Sequence, residues 1–531
     1  MSSFKRMSLI LMTGCAGAAL SACDGASSVA SPGDGVIVTP TPSPAPSPSP
    51  SPSPSPSPTP TPTSGPAASC PTGTTDVGVI AGAYRSCRLP SQVSGSVTLP
   101  QVAGVAYEIS GRVSVGEDVG STGNDGSAAT LTIEPGTLFY ANANDSADDY
   151  ILVNRGSKIM AQGTADAPIV MTAQQNLTGQ VTDSSQGLWG GLILGGRAPI
   201  SACDTQGVAG GAADCENIIE GTGDALYGGN VADDSSGVVQ YVQIRYSGRR
   251  LTTDVELQGL TLAGVGSGTT IDHVQIHNSS DDGIEIFGGT ANLKNLVFTG
   301  ADDDGFDTDQ GWQGFAQFVL NIQAATQESD SFSTEIDSNG SEDALPRQKY
   351  HLANFTFVHN AENTPAAMRI RGGADAHFYN GIVSTPVSCM TMVAGPGNAT
   401  IRDADAGLND DGPPTWDSVY FGCAAAAKFA ESETSNNTIP AATQEQVFDA
   451  NSTNSTVEGE RGSAVENGFY PTSTTLGVTA YDASQVSDFF VPTSYIGAVA
   501  GPGDSWFQGW TCNSNRANFG SASSACTGLP N

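Results

Sequence analysis

The sequence predicts an all-β chain wound as a parallel solenoid, and three observations predict it. Its 531 residues include 64 glycines and 31 prolines but only 14% charged side chains, a balance that a coiled coil or helical bundle would reverse. From Cys70 onward no 3.6-residue apolar period persists, and short runs alternate apolar and polar residues instead. Those runs repeat: the 19 residues from Ile271 superpose without gaps on the 19 from Leu293 at a spacing of 22, and Leu131–Thr137 superposes on Ile151–Ser157 at a spacing of 20. Periods of this size suit rungs that bury their apolar side chains only by stacking on the next rung. An antiparallel sandwich also shows short strands at regular spacing, but the turn Asp281-Asp282-Gly283 recurring at a fixed offset as Asp303-Asp304-Gly305 favours the solenoid.

The N-terminal segment reads as targeting rather than structure. Lys5 and Arg6 precede an apolar run from Leu9 to Leu20, and Leu20-Ser21-Ala22-Cys23 closes it. This ending resembles the lipobox of bacterial lipoproteins. The resemblance implies a signal peptide over residues 1–22, with Cys23 as a lipidated first mature residue anchored in the cell envelope. The expected location is the outer membrane, on its surface or its periplasmic face. Residues 23–69 form the lipidated N-terminus and linker, and Thr39 to Pro66 alternates proline with Ser and Thr. Alternating proline forbids helix and sheet ladders, so these 28 residues are expected as a disordered stalk, up to roughly 90 Å when extended. The folded domain is expected over residues 70–531.

The net charge of −34 excludes a general phosphate-binding surface, and nucleic acid with it. Setting aside Cys15 and Cys23, eight cysteines remain in four local couples. The expected disulfides are Cys70 with Cys87, Cys203 with Cys215, Cys389 with Cys423 and Cys512 with Cys526, although eight cysteines allow 105 connectivities. No Cys-x-x-Cys occurs, which removes zinc-ribbon and thioredoxin-like readings.

The strand parity yields a column. With Ile284 and Ile286 inward, Glu285 points out, and one rung on Asp307 takes the same place between Phe306 and Thr308. Extending the register gives Glu256 one rung back and Glu335 and Arg369 forward. Glu256, Glu285, Asp307 and Glu335 are the candidate ligand-binding residues. Like charges on neighbouring rungs about 4.8 Å apart repel unless a counter-ion or solvent intervenes. The adjoining turn is denser still, with Asp302, Asp303, Asp304, Asp307 and Asp309 in eight residues and Asp281 and Asp282 one rung away. Hard oxygen ligands in a glycine-flexed loop suit Ca²⁺, making these seven aspartates the candidate calcium ligands. The plain alternative is a solvated acidic turn.

The runs Gly187–Ile200, Gly264–Gln275, Asp302–Asp309 and Tyr495–Thr511 resemble a group of bacterial secreted or lipid-anchored right-handed parallel β-helix proteins of the pectin-lyase-like class. The resemblance spans about Leu131 to Thr511. It implies that fold and a cell-envelope location, and an association with TonB-dependent receptors that points to nutrient capture. Many proteins of this class cleave acidic polysaccharides, so two catalytic readings need weighing. A glycoside hydrolase would use paired carboxylates such as Asp281, Asp282 and Asp304. The Gly-His-Gly of the resembling polygalacturonases is missing, however, and Arg369-Ile370-Arg371 only faintly matches their Arg-Ile-Lys. A calcium-dependent polysaccharide lyase would need a base beside the ion, and Arg369 is the one candidate, handicapped because a guanidinium stays protonated. His273 and His277, about 13 Å apart by strand rise, cannot share one ion. Trp189, Tyr227, Tyr241, Tyr246 and Trp312 would stack on sugar rings if any lined the acidic face. The expectation is therefore a non-catalytic envelope lipoprotein that binds a carbohydrate or nutrient, with polysaccharide lyase or glycosidase as the alternative.

Overall fold

A computed structural model describes residues 65–144, 148–252, 255–325, 329–338, 342–431 and 438–529. The signal segment, Cys23 and the stalk up to residue 64 lie outside the described residues.

The domain is a parallel β-helix built on two long sheets. One holds eleven strands stacked strictly in chain order, from Gln92–Val93 to Phe429–Ala430. The other holds eighteen, because each rung adds two runs that meet at a bend. In early rungs the runs are separate, as in Thr130–Ile133 and Leu138–Ala141; later they fuse, as in Thr270–His277 and Asn292–Thr299. Tyr241, His273, Asn295, Phe318, Asn354 and Asn380 stand one above another at this bend, all in the left-handed region and all skipped by the ladder. Asn tolerates that conformation because its short polar side chain bonds locally.

The 22-residue repeat is a true rung repeat: Ile271 pairs with Leu293, and Ile284 with Phe306. The 20-residue repeat is not. Leu131 pairs with Ile159 in the larger sheet, whereas Ile151 sits in the other sheet between Val113 and Leu192. The same strand, turn and glycine chemistry occurs on two faces of one rung, and sequence likeness alone cannot tell faces from rungs.

Inward columns fill the interior. Leu260, Ile284, Phe306, Met368 and Met390 stack on consecutive rungs, with Thr334 among them donating its hydroxyl to the Phe306 carbonyl at 2.7 Å. Trp312 and Tyr350 close on Phe306 at 6.0 and 5.5 Å. Each such side chain, fully buried, stabilises the fold by about 1.5–3 kcal/mol. All four expected disulfides form, with Cα–Cα distances from 4.8 to 5.5 Å. Residues after Thr400 continue the rungs through Thr415–Asp417 and Tyr420–Cys423. The helix Ala441–Asn451 then covers them, its Phe448 packed 5.1 Å from Trp416 and 5.0 Å from Phe421.

The outward faces are dressed by chain from elsewhere. Leu152, Ile193 and Phe287, outward on the eleven-stranded sheet, are covered by Ile200, Ile219, Tyr227 and Leu257 from the loops after residue 196. On the larger sheet a strap from Tyr481 to Leu529 runs back across the rungs. Outward amides grip its backbone in turn: Asn380 holds Tyr481, Gln317 holds Val491, Gln243 holds the Trp510 carbonyl and Gln275 holds Cys512. Leu529 ends against the buried cluster of Ala106, Tyr140 and Leu177 near the start of the domain.

Candidate functional site

Where the covering loops stop, the outward face of the eleven-stranded sheet turns acidic. Glu285 of Ile284–Phe287 pairs with Asp307 of Phe306–Asp309, which pairs with Glu335 of Thr334–Ile336, which pairs with Arg369 of Ala366–Ile370. Four of the five expected column members therefore stack as read. Glu256 does not. The rung below Glu285 carries Thr261, because Leu260 and Leu262 enter the core while Leu257 packs into the outer cover. Glu256 lies instead in a hairpin with Arg249–Arg250, ion-paired to Arg250 at 3.1 Å, and reaches the same cleft from its side.

The cleft measures about 210 Å³ and eleven carboxylates line it: Glu220, Glu256, Asp281, Asp282, Glu285, Asp303, Asp304, Asp307, Asp309, Asp330 and Glu335, with Gln258 and Arg371. The acidic turns reach it because of glycine. A Cβ on Gly283 would lie 2.6 Å from the Gly305 carbonyl oxygen, so successive turns can stack only without side chains there. The backbone N–H of Gly283 donates to the Asp304 carbonyl at 2.8 Å, and the Asp304 N–H donates to the Asp282 carboxylate at 2.8 Å.

Two triplets of carboxylate oxygens converge, each within 4.8 Å: Asp281 with Asp282 and Asp303, and Asp282 with Glu285 and Asp307. Asp282 belongs to both. The expected calcium ligands divide accordingly. Asp281, Asp282, Asp303 and Asp307 gather, joined by Glu285. Asp304 lines the cleft, but one of its oxygens accepts the Phe332 N–H at 2.5 Å. Asp302 is not in the lining and stands near Arg516, on which its charge acts. Asp309 lines the far side, 9% exposed, and its Oδ1 has no hydrogen-bond partner.

Electrostatics record the crowding. Burial, then Glu256 and Glu220, pushes Asp281 up to about 7. Burial, then Glu256, raises Glu220 to about 7 as well. Burial and neighbouring carboxylates carry Asp282, Glu285, Asp303, Asp304, Asp307 and Asp309 well above the usual range. A set of hard oxygens that disfavours its own ionisation, with an orphaned buried oxygen at its edge, fits an oxygen-seeking divalent cation.

The two arginines are spoken for. Arg369 pairs with Asp330 at 2.5 Å and Glu335 at 3.2 Å, and lies over the Phe332 ring. Arg371 pairs with Glu335 at 2.7 Å and Asp337 at 2.8 Å. Burial pulls both guanidinium pKa values down, but those carboxylates more than offset it and hold both protonated. Arg369 is thus unsuited to act as a base. Among the described residues no aromatic ring lines the cleft: Trp189, Trp312, Tyr227 and Tyr246 are buried, and Tyr241 stacks on His273 beside Trp510. His273 occupies the left-handed bend and pairs with Asp272 at 2.8 Å, while His277 is buried against Thr299.

Sequence reasoning missed Glu220, Asp330 and Asp337. Glu220 arrives on a covering loop with no periodicity, and Asp330 sits outside any strand. Asp337 and Arg371 were within reach, each two residues past a column member and so on the same outward side.

No curated protein and no solved structure matches the chain significantly. The family model for a pectate-lyase-like β-helix domain matches residues 102–511, which takes in both the rung repeat and the acidic cleft. The chain belongs to the pectate-lyase-like β-helix domain family.

Proposed function

We propose that this protein is a non-catalytic lipoprotein of the cell envelope, anchored through Cys23 at the outer membrane, that captures a carbohydrate or other nutrient at its acidic cleft through bound calcium. The observation that carries the reading is the pair of carboxylate triplets sharing Asp282. Adjacent turns can supply the 6 to 8 oxygens that Ca²⁺ takes. The leader ending in Leu20-Ser21-Ala22-Cys23 supports the anchor, and the Pro/Ser stalk supports a domain held clear of the membrane. A TonB-dependent receptor is the partner such an arrangement would serve.

The rival is a calcium-dependent lyase of acidic polysaccharides. The base expected for it is already engaged: both arginines beside the carboxylate column are held in ion pairs. Incubation with polygalacturonate and calcium tests the choice. The expected result is neither unsaturated products nor new reducing ends. Reproducible turnover that disappears in Arg369→Ala would establish the rival.

A further inference from the structure

The charge inventory of the cleft limits what it can bind, taking the calcium-dependent reading above as its base. Among the described residues eleven carboxylates line it, and Arg371 is the only cationic side chain in the lining. Arg369 and Arg250 stand at its margins, each already paired to lining carboxylates. Even with a divalent ion in each triplet, two ions and three arginines supply seven positive charges for eleven carboxyl groups, which still outnumber them. Each of these three guanidinium groups is already ion-paired, and the buried Oδ1 of Asp309, one of the eleven carboxyl groups, has no hydrogen-bond partner. Like-charge juxtaposition in such a site costs several kcal/mol and rejects the wrong partner. Nor does any aromatic ring in the lining offer a sugar a stacking surface.

From this we infer that the cleft selects a neutral polyhydroxyl ligand, a sugar whose vicinal hydroxyls complete the coordination of a bound calcium, and rejects uronate polymers. Neutral hydroxyls coordinate a hard cation without adding charge. A carboxylate-bearing sugar would bring one more acidic group into a cleft where carboxyl groups outnumber the cations even after metal loading.

The test uses the full-length protein with calcium. Soluble mannan oligosaccharide, whose mannose 2,3-hydroxyls are cis, and short oligogalacturonides are titrated calorimetrically, each with calcium and with EDTA. Terbium luminescence on the same preparation reads cation binding separately. The expected result is mannan binding that EDTA abolishes, with oligogalacturonide weaker by about tenfold or more. Oligogalacturonide binding as tight as mannan or tighter overturns the inference, and so does mannan binding that survives EDTA. Terbium binding with neither sugar bound overturns it while leaving the cation reading intact. Absence of terbium binding removes the cation reading and this inference together.

Discussion

Glu285 and Asp307 are direct partners on successive rungs, both outward, with the oxygens of Asp282 converging on theirs within 4.8 Å. Three carboxyl groups settle so close in a partly buried cleft only when protons or a cation offset their repulsion. Two cations per chain are expected by calorimetry or terbium titration. Asp282→Asn should remove both, Asp303→Asn the one and Asp307→Asn the other. At a hundredfold excess of free calcium over its dissociation constant the native state should gain about 2.7 kcal/mol per site. An unchanged melting temperature in calcium and in chelator would reduce the cluster to a solvated acidic turn.

Without calcium, stability should fall as pH rises. Asp281 moves from 3.8 to about 7 on folding and Glu220 from 4.5 to about 7, so the native state binds more protons than the unfolded chain between those limits. Their contribution is therefore fully present below about pH 4 and is lost as pH climbs through 7. With calcium the trend should reverse, because the ion takes ionised carboxylates. Melting curves from pH 4 to 8 with and without EDTA check both limbs, and identical curves would disconnect the cluster from folding.

Gly283 is a steric requirement rather than a flexible hinge. Gly283→Ala forces a methyl against the Gly305 carbonyl, 2.6 Å from its oxygen, and should cost about 1–3 kcal/mol. The same substitution displaces the Asp282 turn, so terbium affinity should drop with stability. A variant that melts normally and binds terbium normally would show that the turns tolerate separation.

Arg347 is a buried ion-pair hub remote from the cleft lining. It meets Asp375 at 2.9 Å and Asp410 at 3.1 Å, all three side chains no more than 1% exposed. Arg347→Ala leaves buried Asp375 with Lys349 at 3.9 Å and buried Asp410 with Arg402 at 2.6 Å, and should cost about 3–5 kcal/mol in urea denaturation, with cation binding unaffected in the folded fraction.

Rung architecture and cleft were legible to different depths. Ile271 over Leu293 and Ile284 over Phe306 could be read because both rungs have equal length, so one alignment fixed parity and register together. Glu335 and Arg369 followed from alternation across insertions. Glu256 failed because Val255–Leu257 and Leu260–Leu262 alternate equally well, and only the choice between core and outer cover separates them. Glu220 was beyond reach, since nothing local records that a distant loop folds over the sheet. The cysteine couples succeeded because each closes a short loop, 12 to 34 residues apart.

The strap from Tyr481 to Leu529 alters how such a repeat array can come apart. In an open solenoid each rung feels only its neighbours, so fraying can begin at one end and travel. Here Asn380, Gln317, Gln275 and Gln243 fasten one segment to four different rungs, and Leu529 leans on a cluster more than 350 positions earlier. Loss of a terminal rung must peel the strap or leave its amides unsatisfied, which couples distant rungs into one melting unit. Force applied at one end of the domain would then meet a bound sheaf rather than a stack of independent plates.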